Sequence, residues 1–350
     1  MKPTTSLLIC DVISISTIIF FAHALKPNTN KNIVVGSGLG LGLGSGSVTG
    51  SGRGENGFIK RLHHHRQLRS HHIVQIKQTT TKAKVKDNIY NQSATPDESP
   101  KLIKDKLAEF ELILDDVCDK EKKGYLMAKD VGPDECNDAH KLMFLRCEVF
   151  DVDRAVGRFV KYWNTRVAVF GEDKAFLPLT IDGALKDDID SIKVDYLQIA
   201  DKTDPEGRAI LLFDFNKEGE DVSSDSLLRV VWYQVHVALR QESCQKKGVV
   251  AYVRCLDRFS DWRPSLSKKI SVAGSGILPV RFAGMHFIHP PSYLNIMLGV
   301  SKPLVGKKLR NSFFEHSGSV DDLLKSLSKF GLGNMDMLPT IFGGKLTSYS

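Results

Sequence analysis

Two short apolar runs, Ala209-Ile-Leu-Leu-Phe213 and Val249-Val-Ala-Tyr-Val253, are of strand length and show no polar alternation, the pattern of strands buried on both faces. Between them, Leu227, Val231, Val235 and Leu239 repeat on one helical face within Ser223 to Arg240. Ser223-Ser224-Asp225 supplies an N-cap, and Gly248 punctuates entry to the second strand. Strand, helix, strand implies parallel pairing. A third run, Arg281 to His289, is apolar almost throughout and stops at Pro290-Pro291, which cannot continue a ladder. The pattern predicts a parallel or mixed sheet with helices covering one side.

After the double proline, Tyr293, Ile296, Met297 and Val300 fall at i, i+3, i+4 and i+7, with Leu294 and Leu298 on the flank. This helix is too apolar for an ordinary surface and far shorter than the roughly 20 residues of a membrane span, so it is expected to lie over a cavity or dip into an interface. Lys302, Lys307, Lys308 and Arg310 follow it, and Arg281 opens the preceding strand. Such a cationic rim beside an apolar helix suits an anionic membrane surface. Upstream, Leu102, Ile103, Leu107, Phe110 and Leu114 form a helical stripe ending near Lys123-Gly124. A second pattern runs from Phe144 to Tyr162, with Asp151 as the cap of Val152 to Trp163. The predicted class is α/β, with a small helical lobe ahead of the sheet.

Composition changes this picture mainly at the amino end. The 350 residues are 42% hydrophobic and 25% charged, an ordinary globular mixture. The net charge of +7 is uneven: from Leu25 to Lys86 there are 11 Lys/Arg against the single acid Glu55. Only Phe58 interleaves an aromatic ring with those cations, so no nucleic-acid partner is expected. Met1-Lys2, an apolar stretch from Val12 to Phe21 and Ala22-His23-Ala24 read as a secretory signal with its cleavage site. Asp11, Ser14, Ser16 and Thr17 interrupt it, which leaves a retained anchor or an unprocessed end open. The acid-poor Ser/Gly/Thr-rich stretch that follows resembles a transit peptide. Entry to the secretory route, with onward passage to a plastid, stands beside a cytoplasmic, peripheral-membrane alternative. The expected organisation is a presequence over 1–24, a basic disordered tail over 25–97, a helical lobe over 98–170 and a sheet domain over 175–346.

Several motifs are incomplete. Gly36 to Gly46 imitates a phosphate loop, but position 41 is Leu where a dinucleotide fingerprint needs Gly, and no Gly-Lys-Ser/Thr triplet follows. It reads as a linker. His63, His64, His65, His71 and His72 have no converging Cys or carboxylate, so no designed metal site is expected. His286 and His289, three apart on a strand, point to opposite faces and cannot ligate jointly; one of them is expected to hydrogen-bond inside the pocket. No Gly-x-Ser-x-Gly elbow, paired carboxylates or Cys/His constellation appears, and no enzyme is expected. Once Cys10 leaves with the signal, five scattered cysteines remain, an odd number that reads as reduced thiols.

Leu278-Pro-Val-Arg281, Gly284-Met-His-Phe-Ile-His289, Pro291, Lys302-Pro-Leu304, Lys308, Leu338-Pro339 and Gly343-Gly344 together resemble the second half of a CRAL-TRIO domain. Phe144 to Ala155, Tyr162-Trp163 and Arg166 resemble the helical lobe that precedes it. The likeness covers about residues 100 to 346 and is strongest to the branch of alpha-tocopherol transfer protein and cellular retinaldehyde-binding protein. It implies a lipid pocket with the sheet as floor and the helix after the double proline as lid. The implied pocket and lid residues are Phe213, Tyr252, Phe287, His289, Tyr293, Ile296, Met297 and Val300. Arg281, Lys302, Lys307, Lys308 and Arg310 are the implied membrane or phosphoinositide contacts. The implied ligand is a tocopherol-, retinoid- or phospholipid-like lipid carried by a monomer without other cofactor or metal. Four departures stand out. Val280 replaces the acid of the Pro-Glu-Arg motif found in phosphatidylinositol exchangers. Glu148, Ala283 and Ser312 occupy slots that are basic in the tocopherol branch, where Arg281 and Lys308 match. His289 replaces an Asn, and Arg254 stands where an acid is common. A phosphoinositide-binding exchanger and a membrane-docked protein-interaction module are the alternatives to lipid transfer.

Overall fold

The computed structural model describes residue 90, residues 95–217, 222–257, most of 263–294, and 312–350. The expected presequence, the glycine tract, the histidine run and residues 295–311 lie outside those described.

The lobe consists of α1 (Pro100–Asp116), α2 (Lys123–Val131), α3 (Asp138–Cys147) and α4 (Val152–Phe170). The first stripe ends sooner than its periodicity implies. Val117 turns to extended backbone, and the Lys122 ammonium donates to the Leu114 and Asp115 carbonyls, each at 3.0 Å, satisfying acceptors that the helix end leaves open. Asp151 caps α4 as its sequence predicts, accepting from the Arg154 amide at 3.2 Å. Inside the lobe Phe110, Tyr125, Phe144 and Trp163 surround Phe159 in edge-to-face contacts, the arrangement that the ring quadrupole favours.

Six strands follow: β1 (Leu197–Thr203), β2 (Ala209–Asp214), β3 (Val249–Arg254), β4 (Phe282–Ile288), β5 (Phe313–His316) and β6 (Ser348–Tyr349), in spatial order β5-β4-β3-β2-β1-β6. Strands β2 to β5 are mutually parallel, while β1 and β6 add antiparallel at one side. Helix α5 (Ser224–Ala238) connects β2 to β3, capped by Ser223 accepting from the Ser226 amide. A short α6 (Glu242–Lys247) ends at Gly248, whose φ of 85° lies in the left-handed region open to glycine. Helix α7 (Val320–Leu327) follows β5 and carries a capping box between Ser319 and Asp322.

Helices cover both faces of the sheet, not one. On the front face, Leu211, Phe213, Ala251, Val253, Met285 and Phe287 pack into one core with α5 and the helical lobe. On the back face, Ile210, Leu212, Val250, Tyr252 and Ile288 pack with α7, Phe330, Leu338 and Phe342. The walk from β2 to β5 proceeds in one direction, so right-handed connections place their crossover segments on the front. The back is left to whatever comes after β5. One back-face residue comes from far upstream: Tyr90, inside the segment expected to be disordered, is 3% exposed there.

Because α4 anchors the lobe core, its cap carries measurable stability. Asp151→Ala is expected to lower unfolding free energy by about 1 kcal/mol with an unchanged denaturant slope. Urea titration followed by circular dichroism measures both.

Candidate functional site

The front face at the carboxyl ends of the strands is the candidate site. Phe213 and Phe287 sit on this face, both buried in its core. Phe213 belongs to an aromatic corner with Tyr196 and Phe215. The Tyr196 and Phe215 rings stack at 5.9 Å, and the Phe213 ring meets them at 6.4 and 6.3 Å. Past Pro290-Pro291 the first helical turn returns over this face. Leu294 buries in the same core, and the Tyr293 hydroxyl donates to the Leu256 carbonyl at 2.8 Å, tying the turn to the end of β3. Cys255 lies in this core with its thiol pushed up to about 12, first by burial and then by the Glu315 carboxylate. The floor at Phe213, Phe287, Leu294 and Cys255 is therefore apolar, with the Glu315 carboxylate beside it on β5, and suits a hydrophobic guest.

Two expected pocket residues belong elsewhere. Tyr252 is on the back face, where its hydroxyl donates to the Met337 carbonyl at 2.9 Å. It lies one position from Ala251 and Val253, and side chains of a strand alternate, so it cannot share a cavity with Phe213 and Phe287. His289 is exposed at the end of β4 with φ 48°, its amide donating to the His316 carbonyl, and does not point into the front core. Its partner in sequence, His286, does hydrogen-bond, but on the back face and not within the expected pocket. The His286 ring meets the Tyr90 hydroxyl through Nε2 and His316 through Nδ1, each at 3.0 Å. Ile296, Met297, Val300, Lys302, Lys307, Lys308 and Arg310 lie outside the described residues.

Arg281 also differs from expectation. It precedes the amino end of β4, while the double proline follows the carboxyl end; seven residues at roughly 3.3 Å each put about 23 Å between them. Its guanidinium is partly buried and donates to the Lys246 carbonyl, so it does not rim the start of the post-proline helix. The three slots that are basic in the tocopherol branch are all buried here: Glu148 at 5%, Ala283 at 1% and Ser312 at 4% exposure. Glu148 pairs with Arg158 at 2.6 Å and with Arg154, and although burial opposes its charge, the two guanidiniums hold its carboxyl below the usual range. Glu148 thus neutralises two cations instead of presenting one, and Ala283 and Ser312 present none. Arg254, the departure at the end of β3, pairs with buried Asp214 on the neighbouring strand at 3.2 Å. The swap is thus answered across the parallel register.

Residues 193–344 match the CRAL/TRIO domain, inside the expected 175–346 boundary. Clavesin-1 of Xenopus laevis is 26% identical over 228 residues, 63% of this chain and 64% of that protein. Alpha-tocopherol transfer protein-like of Mus musculus is 26% identical over 216 residues, 59% and 58% of the two chains. Clavesin-2 of Rattus norvegicus is 25% identical over 228 residues, 63% and 65%. The chain spans about 60% of the length of the curated relatives it matches. The resemblance read from Leu278 to Gly344 therefore holds, including its tocopherol-transfer branch.

Four histidines are held neutral, His286 and His316 buried and His140 and His236 half-buried. Burial lowers His236 to about 3 and His316 to about 4, and lowers His140 and His286 well below their usual value. A histidine depressed in the folded chain contributes stability above its unfolded value of about 6.5 and loses it as pH falls toward the folded value. Each costs at most about 1.4 kcal/mol per pH unit in that window. Glu148, whose carboxyl the two guanidiniums hold below its ordinary value of 4.5, acts only below about pH 5. The urea midpoint is expected to hold between pH 8 and 7 and to drop between pH 6.5 and 5. A midpoint at pH 5 equal to that at pH 7.5 rules this out.

Proposed function

We propose that this protein carries a small hydrophobic lipid over the front face of its sheet and exchanges it between membranes without chemical turnover. The observation that carries the reading is the apolar aromatic front face, with Phe213 and Phe287 at its base and the first turn of the post-proline helix resting over it through Tyr293 and Leu294. A matched CRAL/TRIO domain supports it, as does a relative whose name refers to alpha-tocopherol transfer. A tocopherol-like lipid, a phenolic aromatic head bearing an isoprenoid hydrocarbon tail, suits a lining of Phe213, Phe215 and Tyr196.

The energetics favour exchange over one-way capture. A lipid moving from a bilayer into a dry cavity realises about 0.8 kcal/mol per buried CH₂ on both sides, so the transfer is nearly neutral. Passage through water is the barrier, and a cover helix seated at the interface removes it. In this reading the helix beginning at Ser292 is that cover. The basic sequence Lys302 to Arg310 holds it at an anionic leaflet, each cation adding about 1 kcal/mol.

Mass spectrometry of an organic extract from the full chain, purified without detergent, is expected to find close to one hydrophobic lipid per protein. An empty extract rejects the proposal. Phe213→Trp fills the base of the cavity and is expected to reduce bound lipid at least tenfold while thermal unfolding stays cooperative. For membrane docking, reversing Lys307, Lys308 and Arg310 to Glu is expected to weaken sedimentation with phosphatidylserine vesicles at least tenfold. Retention of lipid by that variant separates docking from binding.

A further inference from the structure

The back face of the sheet holds a cavity-like slot that lipid exchange does not use, and it is filled by a single side chain. The Tyr90 ring stacks on Phe330 at 5.3 Å with an interplanar angle of 23° and meets the edge of Phe314 at 5.8 Å. Arg208 closes the slot from another side, its guanidinium carbon 4.6 Å from the ring centroid. Arg208 is itself fixed: Asp204 accepts from its Nε at 2.5 Å and from its amide at 2.8 Å. The remaining wall is Gly284, where a Cβ would fall 2.4 Å from a ring carbon of Tyr90. Only glycine leaves room for that ring.

The base of the slot reads a hydroxyl. Tyr90 Oη lies 3.0 Å from His286 Nε2, His286 Nδ1 lies 3.0 Å from His316 Nε2, and His316 Nδ1 lies 2.8 Å from Ser326 Oγ, contacts that the neutral Nδ1–H tautomer of both rings satisfies in one direction, from Tyr90 toward Ser326. Ser326 then donates to the Leu323 carbonyl at 2.9 Å. With both histidines neutral, every member of this chain has a partner, and all the donors run in one direction. Burial and the Lys329 ammonium oppose a charge on either ring, and the His316 ring and the Arg208 guanidinium add to this at His286. The other ionisable groups facing the slot are Tyr252, whose ring lies 5.8 Å from that of His286, and the Asp204 carboxylate behind Arg208. A phenylalanine in the slot would leave His286 Nε2 buried without a donor, and a phosphorylated or sulfated tyrosine would not fit beside it. Stacking wall, cation, glycine gap and hydroxyl acceptor are four separate features that select the same chemical group.

We propose that the back face is a receptor slot for a phenolic side chain, with Tyr90 its resident ligand, forming a latch in cis that fastens the chain ahead of the helical lobe to the sheet domain. The latch stands whether or not the front face carries lipid. It also makes Tyr90 unavailable to a modifying enzyme until it is released, and it defines what can displace it: a tyrosine side chain from another chain or a small phenol.

Chymotrypsin tests the latch directly, since cleavage after Tyr90 requires the ring to enter the protease. In the full chain that bond is expected to be cut at least a hundredfold more slowly than in a free peptide of residues 84–96 in the same digestion. Gly284→Ala is expected to raise the rate at least tenfold by expelling the ring. Comparable rates in the wild-type chain and the peptide overturn the proposal. Tyr90→Ala supplies a second test that does not depend on Gly284→Ala folding. With the slot vacated, N-acetyltyrosinamide is expected to bind saturably by titration calorimetry. Binding of that probe to the wild-type chain, and of N-acetylphenylalaninamide to the variant, is expected to be at least tenfold weaker. No binding to a folded Tyr90→Ala chain, or equal binding of the two amides, overturns it.

Discussion

Four parallel strands laid down in one direction impose the division of labour in this domain. Each connection between parallel neighbours must cross over the sheet, and right-handedness sends every crossover to the same side. The front face therefore receives α5 and the first turn after the double proline, and the helical lobe ahead of β1 packs into the same core. Among the described residues the back face receives no crossover helix. Its apolar rows, Ile210, Leu212, Val250, Tyr252 and Ile288, have to be buried by segments from beyond the strands, namely α7, Phe330, Leu338 and Phe342 from downstream and Tyr90 from upstream. Uncovered, they would present a large apolar surface to water.

Buried charge follows the same economy of neutralisation. Arg146 joins the lobe to α6 through Glu98 at 2.7 Å, Glu242 at 2.6 Å and Gln245 at 2.6 Å. Asp188 receives two hydrogen bonds from Arg229, at 2.8 and 2.7 Å, and one from Ser226. Glu148 stands between Arg154 and Arg158, and Arg158 reaches on to the Leu278 carbonyl at 2.9 Å. Each cation in these networks has protein partners in the folded state, which the cost of an unpaired buried charge demands. The acid at position 148 engages two of these cations, Arg154 and Arg158.

Much of the fold was legible because long apolar runs leave few alternatives. Strands β2, β3 and β4, helix α5 with its Ser223 cap, and the Asp151 cap of α4 all lie where the pattern puts them. Strand β1 was not legible: Gln198, Asp201 and Lys202 interrupt its apolar positions, and antiparallel pairing at the side of the sheet tolerates that. Strand β5 is only four residues long and contains Glu315 and His316, too short for any period to register. Within the site, Phe213 and Phe287 could be chosen from the family pattern, but a fully apolar run conceals which residues face front. Tyr252 was misplaced for that reason. Parity counted from Phe213 through the parallel register to Val253 would have put Tyr252 on the other side, but the register itself is a tertiary fact. Phe215, in the 3-10 turn that follows β2, lies beyond the reach of that count. Tyr90 had no local signal at all, since its partners are 118 or more residues away in the chain.

The junction between the two faces is one irregularity in β4. Pairing passes from Val249 with Phe282 to Val250 with Gly284, so Ala283 is an extra residue in the strand. Without it, strict alternation starting from Phe282 would turn Met285 and Phe287 to the back and His286 to the front. With it, Phe282, Met285 and Phe287 all serve the front core, and two consecutive residues, Ala283 and Gly284, turn to the back. Both are small, and the space they leave is where the Tyr90 ring rests. The bulge also buries position 283, so a basic side chain there would be driven into the back core instead of toward solvent. One inserted residue thus sets the apolar floor on one side, the aromatic slot on the other, and the loss of a surface cation between them.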